Sequence, residues 1–317
     1  MSRAVEGLKN EALRAALLSA AASPAVTGRA YEALAQLLAK SGGLPGIRPN
    51  LTLAAAFGVE VAQLGEQQVT KLLDNLASET AAPDTPRAFL PVAAAHGYAQ
   101  CLMAGEDGPS RVDAESAWRG LQLLAADERA HVRSGTCSAL VALAAQEGNA
   151  DVLIARADSW LDEPEREISY GSVASALEVL SETRVIAGVR EHAALLSLLT
   201  RVFETLASAP RSAQRSDGRR RMLRALPGML ANLVAAARAV AAGSADWFRE
   251  ACENTRDPEL RAVLSETLQR MADLRNPPAR AQIDELRAAL AGSQKPLRDA
   301  ARVRPGTGRG RRSRPQR

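Results

Sequence analysis

Two stretches of the sequence, DERAHVRSGTCSALVAL at residues 127–143 and DPELRAVLSETLQRM at residues 257–271, share one spacing of apolar side chains. In each stretch, apolar or small residues recur at offsets of 0, 4, 8 and 11 from the first of them. This spacing follows the 3.6-residue period of an α-helix, so each stretch has one apolar face. The residues are Val132, Thr136, Leu140 and Leu143 in the first stretch, and Leu260, Leu264, Leu268 and Met271 in the second. Each stretch is therefore predicted to be a helix that buries one face against neighbours.

Two charged residues accompany each of these apolar stripes. An aspartate precedes each helix, where a carboxylate accepts hydrogen bonds from free backbone N–H groups and complements the helix dipole. An arginine directly follows the first apolar residue of each stripe. These residues are Asp127 and Arg133 in the first stretch, and Asp257 and Arg261 in the second. A third stripe starts at Met222 without the arginine, and a weaker one starts at Ile168, so the pattern repeats unevenly along the chain.

The aspartate, the Val-Arg or Leu-Arg pair and the spaced Ala and Leu residues resemble the second helix of HEAT repeats. The resemblance implies a right-handed α-solenoid of helical hairpins. For Asp127, Arg133, Asp257 and Arg261 it implies structural roles, in which they bond between neighbouring units. Gly135 departs from the pattern, because glycine costs about 1 kcal/mol relative to alanine inside a helix. A neighbouring helix packed closely against position 135 would explain that glycine.

The whole chain is predicted to be all-α. No stretch alternates polar with β-branched or aromatic residues, and aromatics are only 3% of the sequence, so the core must consist of Ala, Leu and Val. Helices are predicted over residues 5–22, 25–40, 51–64, 66–79, 85–104, 113–126, 130–147, 150–161, 166–181, 189–208, 218–241, 244–253, 257–274 and 279–291. The predicted regions are a helical region (1–110) continuous with the solenoid, HEAT-like repeats (111–291), and an Arg-, Gly- and Pro-rich tail (292–317) expected to be disordered.

Positive charge is concentrated in two places. The net charge is +4, but seven arginines lie in the last sixteen residues, and the rest of the chain carries 33 basic against 36 acidic residues. The second cluster occupies residues 211–224, where three arginines in the first turn of a predicted helix oppose its dipole, so something negative should lie close. The candidate anion-binding or nucleic-acid-binding residues are Arg211, Arg215, Arg219, Arg220, Arg221, Arg224, Arg309, Arg311, Arg312 and Arg314.

Motifs of known catalytic or cofactor chemistry are absent from the sequence. It contains no phosphate-binding loop, dinucleotide fingerprint, zinc-protease motif, calcium loop or serine nucleophile elbow. The three cysteines and three histidines are dispersed, so we expect no cofactor, no metal site and no disulfide framework. No segment suits a signal peptide or a membrane span, which predicts a cytoplasmic protein. The bias towards Arg and Ala is typical of a GC-rich, bacterial genome.

Three functions remain open, and the oligomeric state is open as well. The first is a non-enzymatic scaffold that binds a partner protein on its concave face, which the HEAT resemblance supports at the level of fold. The second is a nucleic-acid-associated scaffold, in which the cluster at 211–224 and the Arg-rich tail contact phosphates. The third is a DNA-alkylation-repair-type glycosylase, because some HEAT-like proteins remove alkylated bases with tryptophans and an acid. Its candidate residues are Trp118, Trp160 and Trp247, with Asp158 or Asp246 nearby.

Overall fold

The structure is a computed structural model that describes residues 3–22, 28–64, 68–105, 112–235, 238–274 and 277–292. Within these ranges it contains fifteen α-helices and two short 3-10 helices, Pro86–Phe89 and Ala213–Arg215, and no strand. The α-helices are α1 (Arg3–Ala21), α2 (Arg29–Ser41), α3 (Leu51–Ala62), α4 (Gln68–Ala77), α5 (Leu90–Ala104), α6 (Ala114–Ala125), α7 (Ala130–Ala144), α8 (Asn149–Trp160), α9 (Arg166–Leu180), α10 (Thr183–Ile186), α11 (His192–Ala207), α12 (Asp217–Ala235), α13 (Arg238–Asn254), α14 (Pro258–Asp273) and α15 (Arg280–Gly292). The prediction of an all-α fold is confirmed.

Most of the predicted helices match observed ones, and among the differences the helix predicted over 85–104 begins as the 3-10 helix Pro86–Phe89. The short helix α10 was not predicted, because four residues are too few to show a period. The break predicted at residues 242–243 is absent, since α13 begins at Arg238 and continues through Gly243. The run of small residues in this region offers no apolar stripe that could show the helix to be continuous. The Arg-rich tail lies outside the described residues from residue 293 on, and with it Arg309, Arg311, Arg312 and Arg314.

The helices that follow α2 are arranged in two rows. In the first row, each helix packs against the next in the order α3, α5, α7, α9, α12 and α14. The second row contains α4, α6, α8, α11, α13 and α15, and pairs such as α4 with α5 and α14 with α15 pack across the rows. Helices close in sequence are thus close in space. Of the helices in the described ranges, none is both long enough and apolar enough to cross a membrane.

The two apolar stripes are buried. Val132, Thr136 and Leu140 are fully buried, and the Thr136 hydroxyl donates to the Val132 carbonyl oxygen at 2.9 Å. The stripe of α14 is buried in the same way at Leu264 and Met271. Since one hairpin has too few apolar neighbours to cover such a stripe, each helix depends on the units before and after it.

Glycines lie at points of close approach between neighbouring helices of the first row. A Cβ atom on Gly135 of α7 would lie 2.5 Å from Cγ1 of Val92 on α5. A Cβ atom on Gly58 of α3 would lie 2.5 Å from the carbonyl oxygen of His96, also on α5. Both distances are far below van der Waals contact, so the spacing of these helices requires the missing side chain. The glycine that departs from the HEAT-like pattern therefore has a packing reason.

Replacing Gly135 with alanine is expected to lower the free energy of unfolding. The new methyl group must displace Val92 on a buried helix, and overpacking of this kind costs about 1–3 kcal/mol. Chemical denaturation of the purified variant measures the loss. Gly243→Ala is the matched control, because its Cβ would meet only Leu196 Cδ1 at 3.6 Å, and it should stabilise by about 0.5–1 kcal/mol. Equal stability of the two variants would contradict a close approach at position 135.

The buried histidine of α5 is expected to make stability depend on pH. His96 is 5% exposed, its Nε2 has no hydrogen-bond partner among the described residues, and burial lowers its pKa from 6.5 to about 4. Because the unfolded chain then binds a proton near pH 6.5 and the folded chain does not, stability is full above pH 6.5 and falls as the pH drops towards 4. The loss amounts to about 3 kcal/mol. Denaturation of the native chain and of a His96→Leu variant across this window should show a shallower pH slope for the variant.

Candidate anion-binding groove

Three helices of the first row form a groove that gathers several arginines. Helix α9 is its floor, and α7 and α12 are its walls. The cavity has a volume of about 440 Å³. It is lined by Ala130, Arg133, Ser134, Cys137, Glu178, Arg221, Arg224 and Ala225. The α7 residues recur at helical spacing, as do those of α12, so each wall is one helix face.

Small residues on α9 let the walls come close to its backbone. A Cβ atom on Gly218 of α12 would lie 2.9 Å from the backbone nitrogen of Gly171 on α9. The buried Ser175 hydroxyl, one helical turn further along α9, donates to the carbonyl oxygen of Ala125 at 2.8 Å. Because of these close contacts, α9 lies deep between α7 and α12, and the groove lies above it.

The guanidinium of Arg221 lies at the floor of the groove and is only 6% exposed. It donates to the Ser175 hydroxyl oxygen at 2.8 Å and to the Ala125 carbonyl oxygen at 3.5 Å. Neither partner is charged, and no described carboxylate forms an ion pair with Arg221. Burial, followed by the charge of Arg133, lowers the pKa of this guanidinium. A buried cation with only neutral partners is costly, and an anion in the groove would stabilise it.

The other charged groups of the groove make it net positive. Arg133 is half-buried and donates to the carbonyl oxygens of Asp127 and Glu128 at 2.8 and 2.6 Å. Arg224 is exposed and pairs with Asp217, which lies 3.8 Å away and outside the groove lining. The lining contains one acid, Glu178, whose Oε2 lies 3.5 Å from the Cys137 sulfur. Three guanidinium groups therefore face a single carboxylate.

The cysteine of this groove is held in its thiol form. Burial, with a further contribution from the Glu178 carboxylate, raises the pKa of Cys137 to about 12. A thiol with such a pKa is a poor nucleophile near neutral pH, because the thiolate is the reactive form. The groove thus offers positive charge and hydrogen-bond donors, which suit the binding of an anion.

The neighbouring Arg219 points away from the groove into the interface between α12 and α14. It is 2% exposed, and its Nη2 pairs with Oε2 of Glu259 at 2.7 Å. Nη2 also donates to the Leu206 carbonyl oxygen at 3.3 Å, whereas Nε and Nη1 have no partner among the described residues. Arg219 is thus a buried link between two helices.

The remaining arginines of the 211–224 cluster lie at the protein surface. Arg211, Arg215 and Arg220 are exposed, and Arg220 Nη2 donates to the Arg215 carbonyl oxygen at 2.5 Å. These charges oppose the dipole at the N-terminus of α12. A carboxylate of α9 is bound at that N-terminus, since the Gly218 N–H donates to Glu167 Oε1 at 2.7 Å. The structure therefore divides the sequence cluster into two groove residues, one interior link and three surface residues.

The two arginines of the repeated pattern have equivalent contacts. Arg133 donates to the carbonyl oxygen of Asp127, and Arg261 donates to that of Thr255 at 3.3 Å, in both cases six residues earlier. Each arginine thereby binds the loop that precedes its own helix. Arg261 also donates to the Leu290 carbonyl oxygen at 2.6 Å, which joins α14 to α15.

The two aspartates of the pattern occupy different positions. Asp257 is the N-cap of α14 and accepts hydrogen bonds from the backbone N–H groups of Glu259 and Leu260, both at 3.0 Å. The N-cap of α7 is Arg129, and Asp127 instead binds the backbone N–H and the guanidinium of Arg129. Arg129 in turn donates to backbone carbonyls of residues 79 and 81 in the preceding unit, so Asp127 acts on the neighbouring unit through an arginine.

The tryptophans and acids of the glycosylase hypothesis lie on the second row and do not converge. Trp118 of α6 and Trp160 of α8 are each 5% exposed and pack edge to face with ring centroids 6.4 Å apart. Trp247 packs against Phe203 at 5.5 Å, on another pair of helices. Asp158 and its neighbour Asp162 pair with Arg201. Across the described ranges, no three His, Cys, Asp or Glu side chains are grouped so as to hold a metal ion.

Sequence reasoning missed the participation of Arg133, Ser134, Cys137 and Glu178 in the groove. Arg133 was interpreted as structural, and it does hold a loop, but it also lines the cavity. The signal in the sequence was the polar face of α7, opposite its apolar stripe. The polar face of α7 can be assigned to a groove only once α7 and α12 are known to flank α9.

Comparisons with known proteins add little to this description. No protein-family model matches the chain, and no curated protein matches it. Among solved structures, a designed armadillo repeat protein is similar, with 15% sequence identity and a TM-score of 0.35, over 90% of this chain and 99% of that protein. The fold assignment therefore rests on the helices and their packing.

Removing the charge of Glu259 is expected to destabilise the protein through Arg219. Glu259→Gln leaves the buried guanidinium without its only carboxylate in the described structure, which costs about 1–3 kcal/mol. Thermal and chemical denaturation measure the loss. The control is Glu266→Gln on the same helix, whose pair with Arg270 is half-exposed and worth about 0.3–0.5 kcal/mol. Equal losses in the two variants would mean that Arg219 does not depend on Glu259.

Proposed function

We propose that this chain is a non-enzymatic, HEAT-like scaffold that binds a partner protein, and that an acidic segment of that partner occupies the groove between α7, α9 and α12. The observation that carries the proposal is the buried Arg221 guanidinium, which opens into a cavity beside Arg133 and Arg224 and has only neutral partners. A carboxylate entering the groove would find three guanidinium donors at once.

The architecture supports the scaffold part of the proposal. Two rows of helices, in which each unit packs on the next, are the organisation of an α-solenoid, and we take the stack to be right-handed with the first row on its concave side. Stacks of this kind offer long surfaces rather than one deep pocket. The arginine-lined groove on the first row would then face a partner bound along the concave side. The three cysteines are few and dispersed along the sequence, as is common in proteins of a reducing compartment, and we place this function in the cytoplasm.

Nucleic acid is the second candidate for the anion, and one observation favours it. Arg211, Arg215, Arg220 and Arg224 are all exposed on one short segment, as phosphate-contacting residues must be. Phosphate binding depends steeply on salt: if the seven arginines of residues 302–317 all bound duplex DNA, log affinity would fall against log salt with a slope of about −6. We favour a protein segment, because Arg221 is only 6% exposed and a carboxylate side chain that enters the cavity could bind it.

Reversing the charge at the mouth of the groove is expected to abolish partner capture. Arg224→Glu introduces a second acid beside Glu178, so the affinity for an acidic segment should fall about tenfold or more. The measurement is affinity capture from extracts of the source cells, with each sample divided into nuclease-treated and untreated halves, followed by quantitative mass spectrometry of the recovered proteins.

Arg220→Glu is the matched control for this experiment. Arg220 is an exposed arginine on the same helix, it is outside the groove lining, and its replacement changes the net charge by the same amount. The expected result is nuclease-resistant capture that is lost in Arg224→Glu and retained in Arg220→Glu. Nuclease-sensitive capture, or equal losses in the two variants, would instead support binding of nucleic acid through dispersed surface charge.

A further inference from the structure

A second groove, on the other row of helices, has the opposite charge. It lies between α11 and α13 and has a volume of about 220 Å³. Its charged lining residues are Glu204 and Glu250, and the structure assigns it no basic lining residue. Neither glutamate forms an ion pair with a described side chain, and both are exposed. The charged side chains that line this groove are therefore acidic.

The aromatic ring of Trp247 in the lining of this acidic groove favours one kind of ligand. Trp247 is half-buried in the lining, packs edge to face against Phe203, and is held by a hydrogen bond from its Nε1 to the Thr200 hydroxyl oxygen at 2.9 Å. A fixed indole face beside two carboxylates suits a guanidinium, which can stack on the ring and bond to carboxylate oxygens together. The chemistry of the groove thus favours arginine over a neutral or anionic ligand.

The chain leaves its last described helix beside this groove. The Arg261 guanidinium donates to the carbonyl oxygen of Thr255, a residue that lines the groove, and also to that of Leu290, two residues before the end of α15. A single guanidinium therefore bridges the end of the groove and the end of α15. Helix α15 is further joined to α13 by the ion pair of Glu285 with Arg249.

We propose that the acidic groove between α11 and α13 binds arginine side chains of the Arg-rich tail of the same chain. The residues from 293 on include Arg298 and the seven arginines of 302–317. Ten extended residues span about 33 Å, whereas Glu250 lies about 8 Å along α13 from Thr255, so Arg302 can reach the groove. Attachment at this point gives the arginines a high effective concentration there.

A neighbouring cavity is lined by charges of the opposite sign, and this difference favours the acidic groove as the site that binds a basic segment. The cavity between α14 and α15 is larger, about 690 Å³, and it also lies beside the end of α15. Its charged lining residues are Arg261 and Arg287, so it repels a basic segment. Of these two openings, the one with Glu204 and Glu250 has the charge that complements a basic segment. The inference does not depend on the proposed function, which concerns a different groove on the first row.

Fluorine NMR of the full chain labelled with 5-fluorotryptophan tests this inference. The three tryptophan signals are assigned by single Trp→Phe variants, and the spectrum is compared with that of a chain in which the seven arginines of 302–317 are glutamines. The Trp247 signal should shift, and the signals of Trp118 and Trp160 should stay in place. Salt at about 1 M should shift the Trp247 signal of the native chain in the same direction, because screening then acts within about 3 Å. An unchanged Trp247 signal would overturn the inference.

A cross-linking experiment tests the glutamates directly. A photo-reactive residue in place of Val303, beside Arg302, should form an intramolecular cross-link to α11 or α13, mapped by mass spectrometry. The Glu204→Gln, Glu250→Gln double variant should lower its yield by about fivefold or more. Glu253→Gln is the control, an exposed acid on α13 outside the groove lining, and should leave the yield unchanged. Cross-links between two chains, or an equal yield in the double variant, would overturn binding within one chain.

Discussion

The close approach of neighbouring first-row helices is the constraint on which the rest of the structure depends. The helices carry narrow apolar stripes, and only a helix from the adjacent unit can cover them. Gly135 and Gly218 allow that contact, since a methyl group at either position would collide with Val92 or with the backbone of Gly171. With larger residues the units would separate, and buried side chains such as Val132 would meet water. Packing between units thus sets both the spacing of the row and the depth of its groove.

Buried and half-buried arginines join the loops and helices of this packing. Arg133 and Arg261 each donate to a backbone carbonyl six residues earlier, so each fixes the loop that begins its own helix. Arg219 crosses from α12 to Glu259 on α14 and fixes the relation of two helices. A guanidinium suits this task because its planar donors reach several carbonyls at once while its stem packs against apolar neighbours. The same property explains how Arg221 can line the floor of a groove.

The helices could be predicted from the sequence because their stripes are local, whereas the groove depends on which helices become neighbours. Periodicity identifies the buried face of α7 but not the helix that its polar face will oppose. For the same reason, the run of arginines at 211–224 could not be divided in advance into groove, interior and surface residues. Asp127 and Asp257 look alike in sequence, yet only Asp257 is an N-cap, because Arg129 takes that position in α7. An N-cap is a single position at the start of a helix, and an apolar stripe does not locate that position to within one residue.

The two rows of helices carry grooves of opposite charge, although the body of the chain is nearly neutral. Arg133, Arg221 and Arg224 make the first-row groove positive, and Glu204 and Glu250 make the second-row groove negative. A basic segment is drawn to the second row and repelled from the first, while an acidic ligand shows the opposite preference. Since the rows are separated by the apolar core, occupation of one groove need not block the other. If the acidic groove binds the Arg-rich tail as proposed, the basic groove stays open for a partner.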